Sequence, residues 1–274
     1  MAPRLSVIVL QYNKPDLTRA CLRSFLKSCG PGHEIILVDN ASTAAGAGEV
    51  ANEFPGIRFL LRQENGGFSA GNNDGARLAS GEILLFLNND TVATSDFVSP
   101  ALEFFSSHPS AAVVGPKLLN PDGSVQLSSG RLPSIVQELC DKWFYAAVDA
   151  GNRVAVKLAG RRYRRTHRTG WVSGAAMFVS AGLFRALGGF DESFFMFFED
   201  KDLCMRAQHA GREVWYVADA SLVHLRGASA NAVTGRQYRQ SQLRFYEKNR
   251  HAIQQALLRT YLKMRGLNPD DAHL

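Results

Sequence analysis

The first apolar run, Leu5-Ser-Val-Ile-Val-Leu10, is too short to form a helix face and reads as a buried parallel strand. A helical pattern follows, with Leu17, Cys21 and Phe25 four apart and Leu22 and Leu26 beside them, until Pro31-Gly32 breaks it. Ile35-Ile-Leu-Val38 is a second strand ending at Asp39, and Ala44 to Phe54 reads as a weaker helix. Ile57 to Leu61 gives a third strand. Phe68 to Ala79 gives a helix with Gly81 just past its end. Ile83-Leu-Leu-Phe-Leu87 is a fourth strand, closed by Asn88-Asn89-Asp90. A helix over Asp96 to Ser107 and a strand over Ala111 to Val114 follow.

From Asn120 to Gly170 the periodicity is poor, and the segment reads as an excursion from the core. Order resumes at Trp171 to Val179. A short helix, a Gly188-Gly189 break and the aromatic stretch Phe190 to Phe198 come next. Asp200 to Ala210 is helical, with Leu203, Ala207 and Ala210 on one face and Gly211 as its stop. Val214 to Val217 and Leu222 to Leu225 are read as two short strands, and Gly235 to Leu262 as one or two helices.

Strands alternating with helices imply an α/β fold, a mostly parallel sheet with helices on both faces. Ligands bind such sheets beyond the carboxyl ends of the strands. Asp39 and Asp90 each follow an apolar strand directly, so both are expected in one crevice. A length of 274 residues and 46% apolar content suit one large domain with at most a small extension.

No apolar run approaches the roughly 18–20 residues that span a bilayer, and Met1 to Arg4 is not followed by a signal-peptide core. A cytoplasmic location is expected. Cys21, Cys29, Cys140 and Cys204 form no C-x-x-C pair, which argues against a zinc or thioredoxin-like site. The net charge of +6 is local: Arg153, Lys157, Arg161, Arg162, Arg164, Arg165 and Arg168 stand together with no acid between Asn152 and Thr169.

The first strand is not followed by G-x-G-x-x-G, which disfavours a dehydrogenase, and the P-loop pattern is absent too. The crevice must hold its ligand by side chains or with a metal ion. Asn88-Asn89-Asp90 suits a hard cation, Mg²⁺ or Mn²⁺, that shares oxygen ligands with a substrate diphosphate. It equally suits a turn or a helix N-cap. Asn65 to Asn73 combines glycines, amide donors and a helix start, fit for a ribose or phosphate or for an ordinary helix entry. Glu199-Asp200-Lys201-Asp202 places three acids at a helix start, either as favourable first-turn charges or, beside Phe194 to Phe198, as a carboxylate base of raised pKa.

Six segments together carry a resemblance: Leu5 to Asn13, Val38 to Ser42, Asn65 to Asn73, Phe86 to Thr91, Trp171 to Met177, and Phe190-Asp-Glu192 with Phe198 to Cys204. In this order they resemble the family 2 glycosyltransferases of the GT-A fold, specifically the bacterial rhamnosyltransferase-like branch. The resemblance implies a Rossmann-like GT-A domain over residues 1–232, with a nucleotide-sugar half near 1–118 and an acceptor half near 119–232. A C-terminal helical extension would occupy 233–274. It implies that Asp39 meets the base of the nucleotide, that Gln11, Tyr12, Asn13, Asn65, Gly66 and Asn72 line that subsite, and that Asn89 approaches the ribose. Asp90 would ligate the metal, with His224 in Val223 to Ser229 as a further ligand. The family often has Asp-x-Asp where this chain has Asn88-Asn89-Asp90, so only the last acid is kept. Asp200 would be the catalytic base and Glu199 its acidic neighbour, with Trp171, Ser173, Gly174 and Asp202 toward the acceptor.

The implied reaction is inverting transfer of a sugar from a nucleotide diphosphate donor to a hydroxyl of a glycan or a polyprenyl-diphosphate-linked glycan. Thymidine-diphosphate rhamnose is the first donor by branch resemblance, and a uridine-diphosphate sugar the alternative. A non-catalytic nucleotide-binding relative remains the other class, disfavoured by the presence of Asp90 and Asp200. Nucleic acid is not an expected partner: the basic segment holds one aromatic, Tyr163, within its charged core and matches no nucleic-acid module. With Trp143, Phe144 and Tyr145 before it, the stretch Arg153 to Arg168 suits a peripheral contact on the inner face of the cell membrane. It equally suits a grip on an acceptor diphosphate or a solvated loop.

Overall fold

The computed structural model describes residues 4–30, 32–225 and 232–267. The expected break at Pro31 and the stretch Arg226 to Ser229 after His224 lie outside the described residues. In chain order the elements are β1 (Leu5–Gln11), α1 (Pro15–Cys29), β2 (Glu34–Asp39), β3 (Arg58–Leu61), α2 (Gly67–Leu78), β4 (Ile83–Asn88), β5 (Thr91–Val92), α3 (Val98–Ser107) and β6 (Ala111–Leu119). There follow β7 (Ser129–Gly130), α4 (Ile135–Asp149), α5 (Arg153–Arg162), β8 (His167–Arg168), β9 (Trp171–Val172), β10 (Ala176–Ser180) and α6 (Ala181–Ala186). The last are α7 (Glu199–His209), β11 (Glu213–His224), α8 (Ala232–Asn249) and α9 (Ala252–Met264).

The main sheet runs β3-β2-β1-β4-β10-β6-β11-β5, with β8 on β11. Strands β3, β2, β1 and β4 are parallel, β10 is antiparallel to both β4 and β6, and β11 is parallel to β6. Side chains alternate between the two faces of each strand. On β1, Val7 and Val9 face the layer that holds Cys21, Leu22 and Phe25 of α1 and Val98 of α3. Ile8 faces Ala76 of α2, Phe184 of α6 and Leu203 of α7. The fold is therefore the α/β arrangement expected, helices on both faces of a mostly parallel sheet.

Register decides what meets at the carboxyl edge. Gln11 of β1 lies opposite Asp39 of β2, and Leu10 opposite Asn88 of β4. At the far side β5 pairs with the end of β11, setting His224 opposite Thr91. Asp39, Asp90 and His224 thus reach one edge of one sheet.

Several expectations need correction. Ala44 to Phe54 is mostly turns, with one short 3₁₀ turn at Val50–Glu53, because Asn13 captures the Thr43 and Ala44 N–H groups and holds the chain in a loop. The Asn120 to Gly170 excursion is not irregular, since it contains α4 and α5. Val214 to Leu225 is not two strands but the single β11, whose pairing with β6 shifts register between Val217 and Ser221. Ala210 is exposed and not on the packed face of α7. Gly81 does not stop α2, which is capped at Ala79; a Cβ on Gly81 would lie 2.6 Å from the Ser6 backbone nitrogen, so it permits close approach to β1.

All four cysteines are free thiols. Among the described residues no helix is long and apolar enough to cross a membrane. Helices α8 and α9 form a separate cluster in which Leu243, Phe245, Tyr246, Leu258 and Leu262 pack on Phe194, Phe198 and Met205. The C-terminal helices thus buttress the segment that carries the acidic pair.

Candidate active site

At the end of β2, Asp39 is 1% exposed and doubly held. It accepts from Gln11 Nε2 at 2.7 Å and from the Ser42 N–H at 2.7 Å. The Gln11 Oε1 atom is buried without a partner, and such an atom calls for a donor. Tyr12 is 45% exposed at the rim of the same strand end. Asn13, at φ 53°, accepts from the Thr43 and Ala44 N–H groups at 2.7 and 2.8 Å and so shapes the loop after Asp39.

Asn65, Gly66 and Asn72 are occupied with the protein itself. The Asn65 carbonyl oxygen accepts from Asn40 Nδ2 at 2.7 Å and from the Gly67 N–H at 3.0 Å. The Gly66 N–H reaches Asn40 Oδ1 at 3.3 Å. Asn72 is 1% exposed and donates to the Phe68 carbonyl within α2. Gly67, at φ +78°, abuts the aromatic stretch: a Cβ there would lie 2.1 Å from the Phe195 carbonyl oxygen. Gly67→Ala is expected to destabilise the fold by about 1–3 kcal/mol from the backbone alone, read as a lower urea midpoint with unchanged slope.

Where β5 meets the end of β11, Asp90 Oδ1 stands 3.2 Å from His224 Nε2. The Leu225 N–H donates to the Asp90 carbonyl at 2.8 Å and fixes the two segments together. The other ring nitrogen, Nδ1, is 3.0 Å from Gln126 Oε1. Gln126 is 2% exposed and its amide nitrogen donates to the His224 carbonyl at 2.7 Å. That fixes which amide atom faces the ring: an oxygen, which only accepts. Nδ1 therefore carries the proton toward Gln126, and Nε2 faces Asp90. Asn89 donates to Thr18 Oγ1 at 2.9 Å and is tied to α1.

A cavity of about 450 Å³ opens beside this edge. His224, Asn88, Ser173, Gly174 and Trp171 line it from the sheet, and Glu199, Asp200 and Lys201 from the start of α7. Asp202 is not among them. It is fully buried, paired with Arg206 at 2.7 Å and Lys248 at 2.9 Å, and joins α7 to α8. Sequence reasoning missed the opposite wall. Glu138, Asp141, Lys142 and Tyr145 of α4 and Tyr238 of α8 also face the cavity. It missed Gln126 as well, for which no local signal exists.

Two consecutive left-handed residues, Phe197 at φ 71° and Phe198 at φ 68°, lead into α7. Such backbone is strained in residues other than glycine, and persists where surroundings enforce it. Here Ser69 Oγ donates to the Phe194 carbonyl at 2.7 Å, Ser241 Oγ to the Met196 carbonyl at 2.7 Å and the Phe68 N–H to the Phe195 carbonyl at 2.6 Å. These bonds aim the first turn of α7 at the cavity.

The two acids there differ in setting. Glu199 is 5% exposed and its Oε2 has no partner. Burial, then the adjacent Asp200 charge, push its carboxyl well above the ordinary glutamate range. Asp200 is also raised by burial, but Lys201 and two N–H donors oppose the shift: Gly174 N–H at 3.1 Å and Lys201 N–H at 2.7 Å. Both carboxyls are thus pushed upward by burial, Glu199 more strongly because Asp200 adds to the shift while N–H donors and Lys201 oppose it at Asp200. Burial works against the Lys201 ammonium, yet Tyr238, Asp200, Glu138 and Glu199 together hold it charged, with its pKa raised. Its Nζ sits 4.1 Å from the Phe198 ring centroid and 4.8 Å from that of Trp171.

The α/β sheet with carboxylates at its strand ends and an acid-bearing helix across the crevice agrees with the GT-A arrangement expected. The chain belongs to glycosyl transferase family 2, whose sequence model matches residues 6–204. It is 30% identical over 84% of its length to the O-antigen biosynthesis protein RfbC of Myxococcus xanthus, of which it spans 18%. It is 28% identical over 82% of its length to an N-acetylglucosaminyl-diphospho-decaprenol L-rhamnosyltransferase of Mycobacterium tuberculosis, of which it spans 76%. Among solved structures it resembles the mannosyltransferase PcManGT of Pyrobaculum calidifontis in complex with GDP-Man and Mn²⁺. The TM-score is 0.63 and the identity 20%, over 90% of this chain and 64% of that one. The family and fold, and with them the rhamnosyltransferase-like branch, agree with the sequence reading.

Proposed function

We propose that the protein is an inverting, metal-dependent glycosyltransferase that moves L-rhamnose from dTDP-rhamnose to a hydroxyl of a glycan or polyprenyl-diphosphate-linked glycan, at the inner face of the cell membrane. One observation carries the reading: His224, which stands 3.2 Å from Asp90, and the Glu199/Asp200 pair line the same cavity, with Asp90 itself just behind His224 and outside the lining. The rhamnosyl donor and the lipid-carried acceptor are supported by the similarity to the Mycobacterium decaprenol-linked L-rhamnosyltransferase.

In this reading Asp39 and Gln11 take the nucleotide base, with Gln11 Oε1 accepting one of its N–H groups and Tyr12 exposed beside it. Asn13, Asn65, Gly66 and Asn72 shape that subsite through the backbone, and Asn89 stands toward the ribose. Trp171, Ser173 and Gly174 position the acceptor. Asp200 takes the proton from its hydroxyl as that oxygen attacks the anomeric carbon opposite the leaving diphosphate. Asp200, the less strongly raised of the two acids and the one held by two N–H donors, is the member suited to act as the base.

Asp90 and His224 fit a divalent cation. One carboxylate oxygen and one imidazole nitrogen with its other nitrogen engaged are donors that Mn²⁺ or Mg²⁺ accepts. Among the described residues no group of three or more His, Cys, Asp or Glu converges, so substrate diphosphate oxygens would complete the shell. Bound there, the cation supplies charge neutralisation to the leaving diphosphate. Gln126→Leu frees the His224 ring. It is expected to weaken Mn²⁺ binding in the presence of a nucleoside diphosphate about 10–100-fold, measured by the electron paramagnetic resonance of free Mn²⁺. Unchanged affinity would remove Gln126 and His224 from the site.

Transfer itself is tested by nucleoside diphosphate release across a panel of dTDP-, UDP- and GDP-sugars. Release from dTDP-rhamnose alone supports the donor assignment. Release only from a UDP-sugar would move the chain to the alternative branch.

A further inference from the structure

Helix α4 is amphipathic in the opposite sense to a helix packed on a protein core. Its inward stripe is polar: Glu138, Asp141, Lys142 and Tyr145 line the cavity at the i, i+3, i+4, i+7 spacing of one helix face. Its outward stripe is apolar: Val136 is 72% exposed, Leu139 39% and Trp143 82%. Cys140 lies on that side and is exposed too, and no residue of α4 is buried. Of the three aromatics that the sequence places before the basic segment, only Trp143 is outside; Tyr145 faces the cavity and Phe144 is half-buried.

The partner helix continues the surface. α5 packs against α4 and buries Ala155 and Ala159 on its inner side. It exposes Val154 and Leu158 together with Arg153, Lys157, Arg161 and Arg162. Arg164, Arg165 and Arg168 follow, also exposed. Among the described residues, Arg168 alone of these seven cations forms an ion pair, with Glu213 at 3.1 Å. Six cations among the described residues, four on α5 and two just after it, thus stand without an ion pair on the helix that packs against α4 and in the turn that follows it.

We infer that the α4–α5 surface docks on an anionic lipid bilayer, with Val136, Leu139, Trp143 and Leu158 entering the interface and the arginines meeting phosphate headgroups. An exposed apolar stripe bordered by arginines is the pattern of an interfacial helix, and a tryptophan suits the headgroup depth. A second copy of the chain fits less well, since a two-fold contact would set the same cations against each other. A nucleic acid would use the arginines but has no need of the valine and leucine beside them. The geometry then gives the docking a use. α4 separates bilayer from cavity, so an acceptor hydroxyl on a lipid carrier would arrive along the wall formed by Glu138, Lys142 and Tyr145. That use rests on the peripheral-membrane transferase proposed for this site; the docking itself does not pass through sugar transfer.

The test is co-sedimentation of the full chain with phosphatidylcholine vesicles, with and without phosphatidylglycerol, at low and high salt. The expected result is binding to the anionic vesicles at low salt, lost at high salt, with a blue shift of tryptophan emission. Replacing Arg161, Arg162, Arg164 and Arg165 with serine is expected to lower the affinity at least about tenfold, because each basic residue contributes about fivefold at such a surface. Val136→Ser with Trp143→Ser should abolish the blue shift, while circular dichroism and diphosphate release with a water-soluble acceptor report that the fold is kept. Negligible binding to both vesicles at low salt would overturn the inference. So would binding that neither variant changes, or a dimer in solution that Trp143→Ser dissociates. Vesicle binding without any donor turnover would leave the docking in place and count only against the transferase reading.

Discussion

Asp200→Asn is expected to lower turnover by about 10²–10⁴-fold, the contribution of a positioned general base, with donor affinity little changed. Asparagine keeps the size of the side chain but accepts from only one of the Gly174 and Lys201 N–H groups, which reach different Asp200 oxygens, and it cannot take a proton. The wild-type rate should fall on acidification through a pKa above the ordinary aspartate range, because burial raises this carboxyl. Glu199→Gln serves as the control. Glu199 is raised in the fold, so its stabilising effect is present at low pH and fades as pH rises through its folded value. A neutral glutamine should therefore stabilise the protein more at pH 8 than at pH 5, with a smaller loss of turnover than Asp200→Asn. If Glu199→Gln is crippled and Asp200→Asn is not, the base is one residue earlier.

Asp90→Ala is expected to abolish metal-dependent donor binding. It removes the one carboxylate of the Asp90–His224 pair and leaves His224 Nε2 as a lone donor. Loss of charge stabilisation on a leaving diphosphate amounts to several kcal/mol; at about 1.4 kcal/mol per decade that is roughly 10²-fold or more in rate. Titration calorimetry of donor into protein with Mn²⁺ reads the binding, and thermal unfolding shows that the fold survives. Donor affinity equal to wild type in this variant would remove Asp90 from the site.

The N-terminal part of the sheet was legible because its signals are local. Short apolar strands followed at once by Asp39 and Asn88-Asn89-Asp90 announce the strands and where they end, and the register sets Gln11 opposite Asp39 and Leu10 opposite Asn88. The α4 wall was illegible for a physical reason. Periodicity finds helices by their buried apolar stripe, and α4 turns Glu138, Asp141 and Lys142 inward, so its pattern looks like noise to a rule that assumes an apolar core. Asp202 misled in the other direction. It is three residues from Glu199 and looks like part of one acidic cluster, yet it pairs with Arg206 and Lys248 and does not line the cavity, and the packing of the Lys248 helix against α7 is a long-range contact that local sequence does not reveal. His224 was readable by resemblance, but Gln126, nearly a hundred residues away, becomes visible only when β11 brings His224 beside it.

The central claim is that this chain cleaves a nucleotide diphosphate sugar at a site that needs both a divalent cation and Asp200. The most direct measurement is nucleoside diphosphate release from dTDP-rhamnose, with a polyprenyl-diphosphate-linked N-acetylglucosamine acceptor, run with Mn²⁺, with excess chelator, and with Asp200→Asn plus Mn²⁺. The account predicts release in the first reaction, and near-background release in the other two. Release that continues undiminished in chelator, or that is the same for Asp200→Asn as for the wild-type chain, would contradict it.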